Sequence, residues 1–316
     1  MNKLIRSYYK VKPFIPRQSQ IMLRRFVASV TRIHNNDVWP IDPIASSAPQ
    51  EWRGWPDGKR FAVVLTHDVE TGRGHNRCMQ LMRIEQEAGF RSSFNFVGGE
   101  YEVSKKLRRD LVENGFEIGV HGWVHNSSLY DSREEFQRQS VYINNCLEEW
   151  GAVGFRAPCM YHNLQWFHDL RIKYDSSTFD VDPFEPQNDG VTTIFPFFVH
   201  GEQPGSGYVE IPYTLPQDFT LFILLREKNI EIWKDKLRWI AEHGGMALLN
   251  THPDYMKFSG TPGFEEYPAS LYLEFLQHVN DVYRGAFWQP LPFEIAEFIS
   301  NMEKTAGLAG GRYHVS

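Results

Sequence analysis

The chain is 316 residues long, 42% hydrophobic, 15% aromatic and 23% charged, with a formal charge of −6. That profile fits a globular protein with a large core, as one big domain or two small ones. No stretch approaches the roughly 20 apolar residues of a transmembrane helix, the longest candidate being 219–225, and three cysteines without CxxC spacing argue against a disulfide framework or a structural zinc site.

The charge is unevenly spread. Lys3, Arg6, Lys10, Lys12, Arg17, Arg24, Arg25 and Arg32 fall within residues 1–36, which hold no acid. Against the whole-chain value this leaves about −14 for the remainder. An acidic body argues against nucleic acid as a partner, whereas the basic leader suits something anionic, such as a membrane surface. No compact apolar run with a small-residue cleavage site follows the basic start, so the expected address is the cytoplasm, with the inner face of the membrane as its margin.

Residues 18–35 read as a helix, with Leu23, Phe26, Val27, Val30 and Ile33 on one face. Such a basic amphipathic helix either packs on the body or lies on a membrane surface. The Pro- and Ser-rich stretch 35–60 reads as a linker or wrapping segment. From residue 60 a rhythm sets in. FAVVLT is a strand, NRCMQLMRIEQEAGF a helix ending at Gly89, and SSFNFV a strand. KKLRRDLVENGF is a helix ending at Gly115, FEIGV a strand, and SREEFQRQSVYINNCLEEWG a helix stopped by Gly151. Later EIWKDKLRWIAEHGG runs into the strand MALLN. Helices that stop at glycine and lead into short β-rich runs are the pattern of repeated βα units, hence of a barrel or a doubly wound sheet.

In either architecture chemistry sits at the carboxyl ends of the strands. Asp68 and Glu70 follow the first strand, and His121 and His125 follow FEIGV. Arg156 follows GAVGF, Asp175 follows RIKY, and His252 follows MALLN. Five strand ends thus deliver ionisable groups to one rim. Two imidazoles four residues apart can grip one cation, and a carboxylate as third ligand would leave a position open for water or substrate.

THDVE, HGWVH, FRAP, YDSS and THP, in this order over roughly residues 60–255, resemble the polysaccharide deacetylase (NodB-homology) family of carbohydrate esterases, closest to its subgroup with DVD or DVE in the first motif. The resemblance implies a distorted (β/α)7 barrel, here with an N-terminal helical extension. It also implies one divalent ion, usually zinc, and removal of acetyl from N- or O-acetylated sugars in cell-surface glycan assembly. The expected organisation is a basic helix and linker over 1–50, the barrel over 51–305, and a flexible tail over 306–316. Carried over residue by residue, Asp68 is the general base on the attacking water, and Glu70, His121 and His125 are the metal ligands. Arg156 orients the base, Asp175 partners the final histidine, and His252 is the general acid. The backbone N–H of Cys159 is a further candidate for the oxyanion.

Departures from the family pattern leave other readings open. Glu70 is one methylene longer than the usual aspartate, so a pseudoenzyme that binds glycans without turnover stands beside the enzyme, as does hydrolysis of a ureide-like amide. His67 replaces the usual aromatic residue and is either a substrate contact or a buried, hydrogen-bonded histidine. Trp123, Trp166, Tyr161 and Tyr255, near the motif loops, either stack on sugar rings or pack.

Overall fold

The structure, a computed structural model, describes residues 16–50, 52–203 and 205–308. Expectations for residues 1–15 and for the tail beyond residue 308 lie outside these described residues. Helix α1 (Arg17–His34) comes first. Strand β1 (Phe61–Val69) opens the body, and the single turn α2 (Gly72–His75) and α3 (Cys78–Ala88) lead to β2 (Ser93–Phe96). Helix α4 (Lys105–Glu113), β3 (Glu117–Val120), α5 (Arg133–Trp150), β4 (Gly154–Phe155) and β5 (Tyr174–Asp175) continue the alternation. Strands β6 (Phe197–His200) and β7 (Gly207–Glu210) form a hairpin, and a π-helix spans Phe219–Leu224. Then come α6 (Glu231–His243), β8 (Met246–Thr251), β9 (Met256–Lys257), β10 (Tyr267–Pro268), α7 (Ala269–Tyr283), β11 (Phe287–Trp288) and α8 (Pro292–Leu308).

The local signals act as their chemistry dictates. Helices α3, α5 and α6 end at Gly89, Gly151 and Gly244, each left-handed, where an L side chain would be strained. The hydroxyls of Ser104 and Ser132 cap α4 and α5 by accepting from Leu107 and Glu135 N–H. Helices α7 and α8 and the π-helix lie outside the elements read from the sequence, although Ala269, Tyr272, Phe275, Leu276 and Val279 bury one face of α7 at helical spacing.

The sheet has nine strands and runs β11-β1-β2-β3-β4-β5-β7-β6, with β8 paired to β1. All pairings are parallel except β6 with β7. A single bridge between Leu215 and Leu249 joins the segment after β7 to β8 and curls the sheet toward closure. This is the distorted (β/α) barrel of the NodB type, with an N-terminal helix.

Period-2 alternation divides β1 between two cores. Phe61, Val63, Leu65 and Val69 belong to the layer under the helices, and Ala62 and Val64 to the barrel interior. Strand β8 is in register, with Leu248 opposite Val64 and Asn250 opposite Thr66. Helix α8 plugs one end of the barrel with Ile295, Ala296 and Ile299. The 35–60 stretch wraps the body and is not a free linker. Trp39, Ala45 and Trp55 are buried, and Trp55 Nε1 donates to Gly244 O (2.8 Å).

Helix α1 corrects a natural expectation for an amphipathic helix. It does pack on the body, but through Gln20, Ile21 and Ala28, while Leu23, Phe26, Val27, Val30 and Ile33 face solvent. Its Arg25 ties it down by donating to Ile223 O (2.8 Å) and Phe264 O (3.1 Å). Helical spacing says which side chains share a face, not which way that face points.

Candidate active site

The alternation that builds the core also sorts the first motif. Even positions of β1 point into the barrel, so Thr66 and Asp68 continue the row of Ala62 and Val64 beyond the apolar floor. Odd positions point at the helices. His67 therefore lies outside the site, between Thr251 Oγ1 (2.7 Å) and Glu85 Oε1 (2.8 Å), and is a buried, hydrogen-bonded histidine, not a substrate contact.

Asp68 is buried inside a clamp of donors. Asn95 Nδ2 (3.0 Å) and Arg156 Nη1 (3.3 Å) donate to Oδ1, and Asn250 Nδ2 (2.8 Å) donates to Oδ2. The strand register explains this, because Asp68 stands opposite Asn95 on β2 while Asn250 follows Leu248 inward on β8. Gly119 on β3 completes it: a Cβ there would collide with Asn95 Oδ1. Arg156 is wholly buried and multiply bonded, to Thr66 Oγ1 (2.8 Å), Asn250 Oδ1 (2.5 Å) and Ser176 O (2.7 Å) as well as Asp68. Burial opposes ionisation of Asp68. His121, Arg156, His252 and the Asn95 hydrogen bond outweigh it and hold the carboxyl far below its usual range.

Glu70 stands one residue past β1. Its N–H donates to Asp254 Oδ2 (3.0 Å), and Tyr255 O–H donates to its Oε2 (2.6 Å). Its Oε1 lies 3.2 Å from His125 Nε2 and 3.8 Å from His252 Nε2. Burial again opposes the charge, and His125, His252 and Tyr255 more than offset it, so Glu70 is ionised. His121 Nδ1 lies 3.0 Å from Arg156 O. A carbonyl only accepts, so Nδ1 carries the proton and Nε2 keeps its lone pair. Burial lowers the His121 pKa to about 4, leaving the ring neutral.

This donor set suits a divalent ion in its chemistry: a carboxylate, a neutral imidazole whose other nitrogen is fixed by a backbone carbonyl, and a second imidazole. The Glu70–His125 spacing of 3.2 Å is also near the ~3.3 Å that separates two donors of one tetrahedral zinc. The His121 and His125 ring centroids lie 5.1 Å apart, within reach of one ion. A finished three-ligand cage is not seen, however. Among the described residues no group of three His, Cys, Asp or Glu side chains is gathered closely enough to hold a metal. Glu70 is instead drawn onto His125 and Tyr255.

His252 sits across the mouth with its Nδ1 2.6 Å from Asp218 Oδ1. Its backbone N–H donates to Asp218 Oδ2 (2.8 Å), which Tyr267 O–H also reaches (2.9 Å). Burial alone would lower its pKa, but Asp218, with Glu70 and Asp68 behind it, pushes it up to about 10. The imidazolium form therefore prevails at neutral pH.

Asp218 overturns the expectation that Asp175 partners the final histidine. Asp175 ends β5, which pairs with β4 and β7, whereas Asp218 follows the Thr214–Leu215 segment that pairs with β8 itself. Asp175 accepts from Ser177 N–H (2.9 Å) and Ser177 O–H (2.7 Å), and Ser177 Oγ accepts from Ala157 N–H (2.8 Å). It thus fixes the turn after Arg156. Its neighbour is Glu210, whose pKa burial and then the Asp175 charge push well up. Asp218 comes from LPQDFT, just past the bridge that closes the barrel, and caps the π-helix through Phe219 N–H (2.8 Å). No spacing rule marks it. Asn95 and Asn250 were detectable as polar residues at inward positions of apolar strands.

The aromatic residues near the loops mainly pack. Trp166 stacks with Tyr130 (6.2 Å) and Trp123 with Tyr142 (5.0 Å), Tyr161 is buried, and Tyr255 serves Glu70. Cys159 and Met160 are consecutive left-handed residues (φ 58° and 52°), a strained turn directly after Arg156-Ala157-Pro158.

Residues 56–163 match the model of the family described as Polysaccharide deacetylase, a span that holds Asp68, Glu70, His121, His125 and Arg156 but not Asp218 or His252. Among solved structures, a protein named as a polysaccharide deacetylase from Mycobacterium smegmatis is similar at TM-score 0.62 and 22% identity, covering 81% of this chain and 96% of its own. Puue allantoinase is similar at TM-score 0.61 and 15% identity, over 82% and 96%. A protein named as a polysaccharide deacetylase from Pseudomonas aeruginosa PAO1 is similar at TM-score 0.57 and 16% identity, over 77% and 92%. No curated protein matches the sequence. The resemblance carried by the five motifs is borne out by the family match and the fold. Neither bears on the DVD/DVE subgroup.

Proposed function

We propose that this chain, which is similar to polysaccharide deacetylases in its motifs, in the family match over residues 56–163 and in fold, is a metal-dependent hydrolase that removes acetyl from an N- or O-acetylated sugar in surface-glycan assembly. One observation carries the reading: an ionised carboxylate, Asp68, and a protonated imidazole, His252, share one barrel mouth with a donor set for a cation. Two titratable groups with pKa values pushed apart are the signature of an acid and a base with separate tasks.

Glu70, His121 and His125 would hold the ion. When bound, such an ion lowers the pKa of a water toward about 7 and polarises the acetyl carbonyl. Asp68 accepts the proton of the attacking water, and the fixed donors of Arg156, Asn95 and Asn250 keep it aimed and ionised. Those contacts also make it a weak base, so the water must itself be acidified for Asp68 to act. His252 donates its Nε2 proton to the departing amine, and Asp218 keeps the ring oriented with Nδ1–H inward. Tyr255 fixes the reach of Glu70, which its extra methylene would otherwise leave loose.

The likeness to an allantoinase supports a second reading, in which the same groups cleave a ureide-like amide. Acetate release from panels of N-acetyl and O-acetyl sugars, set against formation of the new carboxylate from ureides, separates the two. Acetate release abolished by Asp68→Asn supports the deacetylase, and turnover of ureides alone replaces it. No turnover on any panel with zinc bound would leave a glycan-binding pseudoenzyme. The unpaired cysteines support a cytoplasmic address, and the basic N-terminal stretch supports contact with an anionic surface such as the inner face of the membrane.

A further inference from the structure

The exposed face of α1 is unusual for a helix already docked on a protein. Met22, Leu23, Phe26, Val27, Val30 and Ile33 form one continuous apolar stripe turned to solvent. Phe26 is 68% and Ile33 71% exposed. Solvent-facing apolar residues are ordinary when scattered, but a contiguous stripe on one helix face marks a docking surface.

The surroundings of the stripe say what covers it. Arg24 lies over the Phe219 ring (4.6 Å) and Arg25 over the Phe264 ring (4.3 Å). A groove along the helix is lined by Met22, Arg25, Arg226, Lys228 and Phe264. Its two acids are engaged elsewhere, Glu227 with Arg32 (2.5 Å) and Glu266 with Arg77 (2.5 Å). Among the described residues, Arg226 and Lys228 have no ion-pair partner. Burial and the nearby Arg226 guanidinium lower the Arg25 pKa, as expected where like charges crowd together. Residues 1–36 add no acid, and the body of the chain is acidic.

A second copy is a poor occupant, because pairing stripe to stripe would set one basic leader against another. A lipid surface with anionic headgroups matches both halves of the pattern. Phe26, Leu23 and Ile33 would enter the acyl boundary, and Arg226 and Lys228 would lay their stems along it with their heads at the phosphates. Among the described residues no helix is long and apolar enough to cross a bilayer, so the helix would lie in the surface and not span it. We propose that the outward face of α1, with the adjoining groove at Arg226 and Lys228, docks this protein on an anionic membrane surface. The proposal stands independently of the reaction catalysed.

Flotation of the full chain with phosphatidylcholine vesicles, with and without phosphatidylglycerol, tests it. Binding should favour the anionic vesicles by about tenfold or more and weaken as salt rises. Phe26→Glu with Ile33→Glu should lower the partition coefficient by about tenfold or more with an unchanged thermal melt, because both side chains are exposed. Arg226→Gln with Lys228→Gln should reduce binding to anionic vesicles by about fivefold or more. No binding to anionic vesicles, equal binding to both kinds, or parental binding by the Phe26/Ile33 variant would overturn the proposal. So would a dimer in sedimentation that the same variant dissociates, since the stripe would then be a self-interface.

Discussion

Asp218→Asn separates the structure's account of the acid from the one the motifs suggest. The carboxylate accepts from His252 Nδ1 (2.6 Å), His252 N (2.8 Å), Tyr267 O–H (2.9 Å) and Phe219 N–H (2.8 Å), and an amide can serve only its carbonyl half of these. The variant should lose about 1–3 kcal/mol of stability through unsatisfied buried donors. It also removes the main reason for the raised His252 pKa of about 10, leaving only Glu70 and Asp68 to oppose burial, which favours the neutral ring. General acid catalysis contributes about 10²- to 10⁴-fold where the leaving group needs a proton. With zinc supplied, kcat/KM for an N-acetyl sugar should therefore fall by about a hundredfold or more. That for an aryl acetate, whose phenolate leaves unprotonated, should fall less than about tenfold. Asp175→Asn should not show this split, because Asp175 acts on the turn after Arg156 and would affect both substrates alike. Equal losses on amide and ester in Asp218→Asn, or the selective loss in Asp175→Asn instead, would refute the assignment.

Calorimetric titration with zinc should find one site, weakened about a hundredfold or more in Glu70→Gln, whereas Glu70→Asp keeps it with some loss from the broken Tyr255 contact; parental affinity in Glu70→Gln would remove Glu70 from the ligand set. Gly119→Ala should cost about 1–3 kcal/mol and lower activity more than its melting shift explains, since the new methyl displaces the Asn95 amide that holds Asp68; unchanged acetate release would show that Asn95 is dispensable. Burial raises the Glu117 carboxyl to about 7, where Tyr174 O–H and Phe293 N–H bond it, so its contribution to stability falls as pH rises from about 4.5 to about 7 and is flat above. Glu117→Gln should flatten that part of the pH dependence in urea melts, by at most about 3 kcal/mol across the window because the side chain keeps some exposure, and an unchanged slope would contradict it.

Much of the site was legible because strand alternation and motif spacing act locally. Asp68, Glu70, His121, His125, Arg156 and His252 meet where β-strand ends place them, and the glycine stops gave α3, α5 and α6 nearly to the residue. What was not legible depends on pairs far apart in the chain. Asp218 reaches His252 only because Leu215 bridges Leu249, and nothing within LPQDFT announces that. Asp175 looked equally suitable from its motif, yet its carboxylate is taken up by Ser177 and lies beside Glu210. The outward turn of α1 follows from Arg25 bonding the π-helix carbonyl of Ile223, a contact that helical periodicity cannot contain.

Strand β1 lies between β8 and β2, with β11 beside its first residues. His67 and its β8 partner Thr251 are 184 residues apart in sequence. At about 5–20 residues per second of synthesis, a nascent chain holds β1 for roughly 10–40 s before β8 exists to cover its open edge. Over that interval Phe61–Val69, buried along its whole length in the finished protein, has only β2 as a strand neighbour. An apolar strand edge left waiting is a template for pairing with another chain. Yield should therefore depend on translation rate and temperature during expression, and chains truncated before β8 should collect in the insoluble fraction.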